Sequence, residues 1–389
     1  MNERCEIAVV GGGPVGAAAT LALARQGFEV VLIERGAPPP AFDAANYDTR
    51  VYALAPRSAA FLDALGAWEA VRRARVSPYS AMRVWETNPE RGLCFRAGDA
   101  GRGELGWIVE HGLILSALWA RLEALARLTN AVIESAEFGA SRARLVLAGG
   151  RSLDARLVVA ADGADSPLRR FAGIETVARG YGERALVSHV RTEQPHRATA
   201  YQRFLPSGPL AFLPLSDGRS SIVWSAEETV AQELLALDDA AFRARLAEAS
   251  ERVLGEIGEA TPRLAFPLRL QHAREYARPG LVLIGDAAHT LHPLAGQGLN
   301  LGLADAECLA DTLAAARDAG RDWSGARTLA RYARARKAAN LEMLALTDAL
   351  DRAFRLRVPG LRALLAVGLR AVDRWDPVRA WFARQAVGV

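Results

Sequence analysis

Two acidic residues, each placed after a short apolar run, are the first candidates for chemistry in this chain. Asp286 follows residues 281–285, and Glu34 ends the run 29–33. Ligands of open α/β sheets bind beyond the carboxyl ends of the strands, where a carboxylate can accept hydrogen bonds from sugar or ribityl hydroxyls. We therefore expect both carboxylates to hold polyol parts of one nucleotide cofactor.

A glycine-rich turn upstream of Glu34 specifies the cofactor further. Residues 7–10 have the composition of a buried parallel strand, and Gly11, Gly13 and Gly16 follow with the spacing G-x-G-x-x-G. These glycines permit a tight turn, close approach of the backbone to a pyrophosphate, and close packing of the helix on the sheet. In such folds an acidic residue about 20 positions later accepts a hydrogen bond from a ribose 2′-hydroxyl. The arrangement predicts FAD or NAD, with the phosphates at a helix N-terminus.

A second glycine-bearing turn, late in the chain, precedes a helix whose N-terminus would present backbone N–H groups to a cofactor above the loop. Pro293, Gly296 and Gly298 can bend this loop sharply, and a helical pattern begins at Leu299 and Asn300. A reduced flavin carries negative charge on its N1–C2=O edge, which the N-terminus of that helix would stabilise.

The middle of the chain repeats the pattern of a strand followed by an acidic turn. Apolar residues 157–161 lead into Asp162 and Gly163, which alone would be an ordinary turn. Arg169 and Arg170 follow, and we expect them to hold the Asp side chains or to face a phosphate. Three such segments, far apart, suggest that most of the chain surrounds one cofactor.

The histidines of the late loop do not predict a metal site. His289 and His292 could share one side of a turn, but no third ligand lies nearby, and the chain has only six His and three Cys. A metal site needs a clustered set of ligands. We expect no metal, and we interpret both histidines as structural or as part of the flavin cavity.

Composition narrows the class of protein. The length of 389 residues suggests two or three domains, and a hydrophobic content of 51% allows a large core. The net charge of +4 comes without a basic stripe or a recognised motif, so we expect no nucleic-acid partner. We find no secretory signal and no membrane-spanning window, and three scattered cysteines predict free thiols in a reducing cytosol.

The order of elements predicts an α/β protein. We expect a Rossmann-like FAD-binding domain, with helices over residues 58–73 and 113–126, and an inserted α+β substrate domain. The insert would be mostly antiparallel sheet, because residues alternate at 185–190 and 221–224. The predicted division is residues 1–75, 101–178 and 272–330 for the first domain, 76–100 and 179–271 for the second, and 331–389 for a C-terminal helical region.

The three segments, in this order, resemble the group A FAD-dependent aromatic hydroxylases, which are flavoprotein monooxygenases similar to para-hydroxybenzoate hydroxylase. Further segments resemble the ubiquinone-biosynthesis hydroxylase branch: residues 48–54, 202–204, 208–211, 292–302 and 347–377. The resemblance covers nearly the whole chain. It departs at residues 110–112, where the family leads us to expect an Asn and a bulkier polar residue after the Glu.

The resemblance implies roles for individual residues. Glu34 would contact the adenosine ribose, Arg50 would lie close to the flavin and its phosphates, and Asp286 would hold the ribityl chain or the pyrophosphate. Asp162 would lie near the cofactor and the docking region of NAD(P)H. The implied catalytic residues are Arg50, Pro293 and Gly296. The implied cofactor-binding residues are Gly11, Gly13, Pro14, Val15, Gly16, Glu34, Arg35, Arg50, Asp162, Asp286, Pro293, Gly296, Gly298, Leu299 and Asn300.

The resemblance also implies the reaction. NADH or NADPH would reduce FAD, the reduced flavin would capture O2 as a C4a-hydroperoxide, and the distal oxygen would attack the ring of a polyprenylated ubiquinone precursor. Only one G-x-G-x-x-G follows an expected strand, so the nicotinamide cofactor would dock transiently. No general base is identifiable, because we interpret His189, His196 and Tyr201 as surface or packing residues.

Two alternatives stay open at this point. One is a hydroxylase of a soluble aromatic compound, which a polar and open substrate cavity would favour. The other is a flavin-binding scaffold subunit of a quinone-biosynthesis complex, which stable FAD binding without oxygen-dependent product would favour. A halogenase is disfavoured because the sequence has no Trp-x-Trp-x-Ile-Pro segment.

The C-terminal residues 351–389 allow two interpretations. They hold eight Arg and three Asp, and Leu361, Leu364, Leu365 and Trp375 fall on one helical side. We favour an amphipathic helix packed on the protein, and the alternative is a helix that docks on a membrane surface or a partner. The expected location is cytoplasmic, with peripheral contact at the inner membrane under the second interpretation.

Overall fold

The structure, a computed structural model, describes residues 2–290 and 297–355, except for the side chains of residues 344–355 and a few others. Within these ranges the strands, β1 to β20 in chain order, are Asn2–Val10, Val30–Ile33, Val51–Leu54, Ser77–Tyr79, Ala81–Trp85, Leu93–Arg96, Gly106–Glu110, Ala126–Leu128, Ile133–Phe138, Ala143–Leu147, Ser152–Ala160, Thr176–Thr192, Thr199–Leu205, Gly208–Pro214, Ser220–Glu227, Ile257–Ala260, Leu264–Ala273, Ala277–Arg278, Leu281–Leu283 and His289–Thr290. The helices, α1 to α9, are Pro14–Arg25, Pro56–Ala64, Trp68–Ala74, His111–Arg121, Pro167–Phe171, Glu228–Ala236, Asp239–Ala249, Gln297–Asp318 and Ala326–Arg355.

The first sheet contains the parallel strands that the apolar runs predict. Its strands follow the order β18–β19–β11–β1–β2–β8, and β1 pairs in parallel with both β2 and β11. Helix α1 returns over this sheet and packs against α8 and α4. Because β1, β11 and β19 are parallel neighbours, the three glycine-bearing segments that follow them meet at one edge of the sheet.

The second sheet is mostly antiparallel, as the alternation predicts. Its strands follow the order β20–β17–β12–β15–β14–β13–β5–β6, and β5 pairs in parallel with β13. One face packs on α6 and α7 around buried side chains that include Trp224, Phe212, Phe242 and Leu246. The opposite face is free to line a cavity. A third, three-stranded sheet pairs β7 with β3 and β4.

Two helices differ from the sequence prediction. The helix expected over residues 58–73 is divided into α2 and α3, because Gly66 between them has a left-handed φ of 79°, which an α-helix cannot continue. The helix expected over residues 113–126 ends at Arg121, and Ala126 begins strand β8 instead. Strand β8 then pairs with β2 at the edge of the first sheet.

The domain boundaries stay a prediction, because the sheets share elements across them. Strand β20 follows closely after the turn Gly285–Ala287, which we call the late acidic turn. It pairs with β17 of the second sheet, where His272 lies opposite His289. Strand β4 belongs to the third sheet rather than the second. Residues 356–389, with the amphipathic pattern of the C-terminal region, lie outside the described residues.

Candidate active site

A cavity of about 1050 Å³ connects the acidic and glycine-rich loops of the first sheet with the open face of the second sheet. Most of the expected site residues line it. They are Gly11, Gly13, Pro14, Val15, Gly16, Glu34, Arg35, Arg50, Asp162, Asp286, Gly298 and Leu299. Segments that are far apart in sequence therefore meet around one space. Pro293, Gly296 and His292 lie outside the described residues, so their roles stay predictions.

The three glycines of the first turn have different surroundings. A Cβ on Gly11 would lie 2.2 Å from the Ala161 carbonyl oxygen, and Gly11 has a left-handed φ of 106°. A Cβ on Gly16 would lie 1.9 Å from the Gly11 carbonyl oxygen. A Cβ on Gly13 would meet nothing within 4 Å. Gly11 and Gly16 thus keep the turn and helix α1 close to the sheet, whereas Gly13 leaves open space at the helix N-terminus.

The Glu34 carboxylate is fixed by the main chain of the same turns. Its Oε2 accepts a hydrogen bond from Gly12 N at 2.5 Å, and its Oε1 accepts one from Gly36 N at 2.8 Å. Trp119 Nε1 donates to Gly12 O at 2.7 Å and holds the turn from the other side. Each carboxylate oxygen has a further lone pair, so the fixed group can still accept from a ribose hydroxyl.

Asp162 carries an unpartnered oxygen at the cavity. Its Oδ2 accepts from Leu168 N at 3.1 Å, whereas its buried Oδ1 has no hydrogen-bond partner among the described residues. Burial raises the pKa of this carboxyl, although hydrogen bonds from Ser166 and Leu168 oppose the shift. An unsatisfied buried acceptor of this kind is costly unless a ligand donor reaches it.

The arginines of the middle segment do not hold the Asp side chains as expected. Arg169 is buried and donates to two backbone carbonyls, those of Ala287 and Ala164, at 2.7 Å each. Arg170 donates to the Asp165 carbonyl oxygen. Arg169 instead joins the middle turn to the late acidic turn, because a guanidinium can bridge two carbonyls that point in different directions.

Asp286 lies in a short 3₁₀ turn, Gly285–Ala287, and its side chain opens into the cavity. Enclosure by surrounding protein raises the pKa of its carboxyl, and the charges of His289 and Arg50 oppose the shift. Asp305 of α8 holds this turn through hydrogen bonds. Its Oδ2 accepts from Gly285 N at 3.0 Å and from His289 Nε2 at 2.6 Å.

The Asp305 carboxylate is the centre of a buried network. Its Oδ1 accepts from Arg336 Nε at 2.6 Å and from Asn340 Nδ2 at 3.2 Å, both on α9. Burial opposes its ionisation, but His289 and Arg336 together hold the pKa of this carboxyl below its ordinary value. Asn340 also donates to the Tyr276 hydroxyl, which contacts His272 Nε2 at 3.1 Å. His289 is therefore structural, one of the two roles that its sequence position suggests.

His272 makes stability sensitive to mild acid. Burial lowers the pKa of His272 to about 4 from 6.5, and the nearby charges of His289 and Lys337 add to the shift. Between pH 6.5 and pH 4 the His272 imidazole is protonated in the unfolded chain but stays neutral in the folded protein. Stability therefore falls as the pH drops from 6.5 towards 4. The free energy of unfolding should fall between pH 7.5 and pH 5 in both proteins. We expect this fall to be about 1–2 kcal/mol smaller in His272→Gln than in the wild type. Urea unfolding at both pH values measures this difference, and equal losses in the two proteins would contradict it.

Arg50 extends from a loop that a buried ion pair fixes. Glu110, with only 3% of its surface exposed, accepts from Arg75 Nε at 2.7 Å and from Asp48 N at 2.7 Å. Asp48 in turn accepts from Arg50 N at 2.9 Å and from Gly112 N at 2.9 Å. Glu110 and the backbone N–H groups of His111 and Gly112, the two residues at which the family resemblance departs, thus position the Arg50 loop.

We expect Glu110→Gln to destabilise this loop by about 1–3 kcal/mol, because the amide nitrogen of Gln would face the donors of Arg75. Glu69→Gln is the matched control, since Glu69 contacts Arg72 and Arg73 but is exposed, and exposed pairs contribute little. Urea unfolding of both variants measures the difference. Equal effects at the two positions would show that the Glu110 contacts do not hold the loop.

Asn300 has a different task from its neighbours Gly298 and Leu299. Its Oδ1 accepts from Ala55 N at 2.9 Å, and its Nδ2 donates to Ala53 O at 2.9 Å. The side chain therefore ties the start of α8 to the end of β3, and it does not line the cavity. A direct part of Asn300 in cofactor binding stays a prediction.

These features fit FAD at the cavity. The open space beside Gly13 and the absence of a side-chain cap on α1 leave room and N–H donors for a pyrophosphate. Glu34, Asp162 and Asp286 supply acceptors for hydroxyl groups along the same cavity. The first turns of α8, with Gly298 and Leu299 at the lining, lie where a helix N-terminus can face a flavin ring.

The fold and the cavity define a dinucleotide-binding flavoprotein in which the cofactor loops face a second, mostly antiparallel sheet. The model of the family described as "FAD binding domain" matches residues 4–347. The chain is 37% identical to 3-demethoxyubiquinol 3-hydroxylase of Escherichia coli, over all of both chains. It is 38% identical to the ubiquinone hydroxylase UbiL of Rhodospirillum rubrum, over all of this chain and 90% of that one. The chain therefore belongs to this FAD-binding family and is an FAD-dependent hydroxylase.

A solved structure shares the fold of this chain. The crystal structure of p-nitrophenol 4-monooxygenase PnpA from Pseudomonas putida superposes with a TM-score of 0.78 and 21% identity, over 98% of both chains. Within the described ranges, no helix is long and apolar enough to cross a membrane. The same ranges hold no group of three or more His, Cys, Asp or Glu side chains that could bind a metal ion.

Proposed function

We propose that this enzyme hydroxylates the aromatic ring of a polyprenylated ubiquinone precursor, with NADH or NADPH as reductant and O2 as co-substrate. The full-length similarity to two ubiquinone hydroxylases, at 37% and 38% identity, carries the proposal. Such precursors reside in membranes, so the enzyme would meet them at a membrane surface or receive them from a partner of the same biosynthetic complex.

The apolar face of the second sheet supports a prenylated substrate over a soluble one. Side chains toward the cavity form rows across neighbouring strands, and the central row is apolar except for Gln202: Val187, Val223, Ala211, Gln202 and Val84. On the part of β17 that β20 does not pair with, Leu264 and Phe266 are 45% and 49% exposed, and Phe266 lines the cavity. Exposed apolar side chains continuous with an apolar cavity suit an isoprenoid chain, whose burial contributes about 25 cal/mol per Å².

The protein contributes binding and orientation to the reaction. Bound FAD would accept a hydride from the nicotinamide and activate O2. Asp286 would accept hydrogen bonds from the polyol of the cofactor, and the start of α8 would favour negative charge beside it. The apolar rows of the sheet would exclude water from the reacting ring.

Quinone analysis tests the proposal. The gene is expressed in bacterial strains that each lack one ubiquinone hydroxylase, alongside Asp286→Ala and the exposed-site control Asp311→Ala. We expect restored ubiquinone in at least one strain with the wild type and Asp311→Ala but not with Asp286→Ala. The rescued strain would also identify the ring position. Failure in every strain, despite good expression and bound FAD, would contradict the proposal.

A further inference from the structure

The row of side chains next to the apolar row ends in two polar residues. Strands β12 and β15 pair in the order Ala185–Ser225, Val187–Val223 and His189–Ser221, and side chains two residues apart share a face. Ala185, Val187, Ser221, Val223 and Ser225 all line the cavity. His189 therefore stands on the cavity face of the sheet, directly beside Ser221.

His189 has a buried nitrogen available for a hydrogen bond. Its Nε2 lies 3.1 Å from the Asp48 carbonyl oxygen, which can only accept, so Nε2 carries the hydrogen and Nδ1 is the acceptor in the neutral ring. Nδ1 is buried and has no partner among the described residues. Burial lowers the pKa of His189, and the charge of Arg219 adds to this effect, so the ring stays neutral near pH 7.

Ser221 is the complementary group. It is 1% exposed, its Oγ has no partner among the described residues, and it lines the cavity. Directly opposed residues of an antiparallel pair have Cβ atoms about 4.5–5.5 Å apart, so a rotation of the Ser221 side chain brings Oγ within reach of His189 Nδ1. Two neighbouring buried polar groups that both lack a hydrogen-bond partner are unexpected for packing alone.

We propose that Ser221 and His189 bind a phenolic hydroxyl of the aromatic substrate and take up its proton. This inference rests on the proposed function. It identifies the residues that contact the ring hydroxyl, which the apolar rows do not specify. Ser221 Oγ accepts from the ring O–H and donates to His189 Nδ1. When the ring O–H bond breaks, its proton passes to Ser221 Oγ while the serine proton forms the Nδ1–H bond. The electron pair stays on the ring oxygen, and the reverse transfer returns the proton to the product.

The test compares a phenol that carries one prenyl unit with its methyl ether, which cannot donate a hydrogen bond. Binding to the FAD-loaded enzyme is measured by the change in flavin absorbance, and turnover by product analysis. We expect Ser221→Ala to raise the Kd of the phenol about tenfold and to change that of the ether less than about twofold. Ser220→Ala is the matched control, because Ser220 is equally buried, also lacks a partner for Oγ, and points to the opposite face of β15.

His189→Gln separates proton transfer from binding. We expect kcat for the phenol to fall at least about a hundredfold while its Kd changes less than about threefold. A loss of affinity for phenol and ether alike in Ser221→Ala, or unchanged kcat in His189→Gln, would overturn the inference and leave the proposed function intact. A wild-type enzyme that binds neither compound would overturn both.

Discussion

Asp305→Ala is expected to lower the free energy of unfolding by about 3–5 kcal/mol, the range measured when one partner of a buried ion pair is removed. Asp305 is fully buried and accepts four hydrogen bonds, from Gly285, His289, Arg336 and Asn340. Alanine would leave the guanidinium of Arg336, whose side chain is only 12% exposed, without its counter-charge. The four donors would lose their common acceptor at the same time.

The measurement is urea unfolding at pH 7.5 with excess FAD, beside the control Asp311→Ala. Asp311 lies on the same helix but is exposed, so we expect that control to stay within about 0.5 kcal/mol of the wild type. Because Asp305 holds the turn that carries Asp286, FAD should also dissociate more readily from Asp305→Ala. A variant as stable as the control would show that the network is dispensable.

Gly16→Ala is expected to weaken FAD binding roughly a hundredfold. Its Cβ would lie 1.9 Å from Gly11 O and 3.0 Å from Ala161 Cβ, so helix α1 must move away from the sheet. Two hydrogen bonds to the phosphates, each worth about 1.5 kcal/mol, would then be lost. Overpacking of this kind also destabilises the fold by about 1–3 kcal/mol.

Gly13→Ala separates the effect on the fold from the effect on the ligand. Gly13 has φ −64°, which alanine adopts readily, and a Cβ there meets only open space. We expect the unfolding free energy without FAD to match the wild type, while the affinity for FAD falls because the methyl group occupies the pyrophosphate space. Flavin fluorescence titration measures affinity in both variants. Undiminished affinity in Gly13→Ala would mean that the phosphates do not lie beside this residue.

Short-range patterns predicted the parts of the site that depend on backbone geometry. The strand, the glycine spacing and the acid near Glu34 are all local, so the first turn could be derived from periodicity and steric needs. The late turn at Asp286 was recognisable for the same reason. The family resemblance added the reaction, and the relatives at 37% and 38% identity support that addition.

Long-range partners could not be predicted in the same way. Arg169 was expected to hold the aspartates of its own segment or to face a phosphate, but it donates to the carbonyl of Ala287, more than a hundred residues away. Asp305 had one recognisable sequence signal, a charge between the apolar residues Leu303 and Ala306 of a helix, which indicates a buried and paired carboxylate. Its partners on α9 follow only from the packing of α8 against α9. His189 was interpreted from the sequence as a surface or packing residue, because its surroundings depend on which strand lies beside it.

The pairing of β20 with β17 has a mechanical consequence. Strand β17 also pairs with β12, the strand of His189, and its edge residues Leu264 and Phe266 are where a lipid chain would enter. The two residues of β20 follow directly after the turn that carries Asp286. The end of β17 that carries Leu264 and Phe266 is therefore joined, along the strand and through its pairs with β20, to the segment that follows the Asp286 turn. Under the proposed function, entry of a substrate chain beside Leu264 and Phe266 would thus be coupled to the position of the turn that carries Asp286.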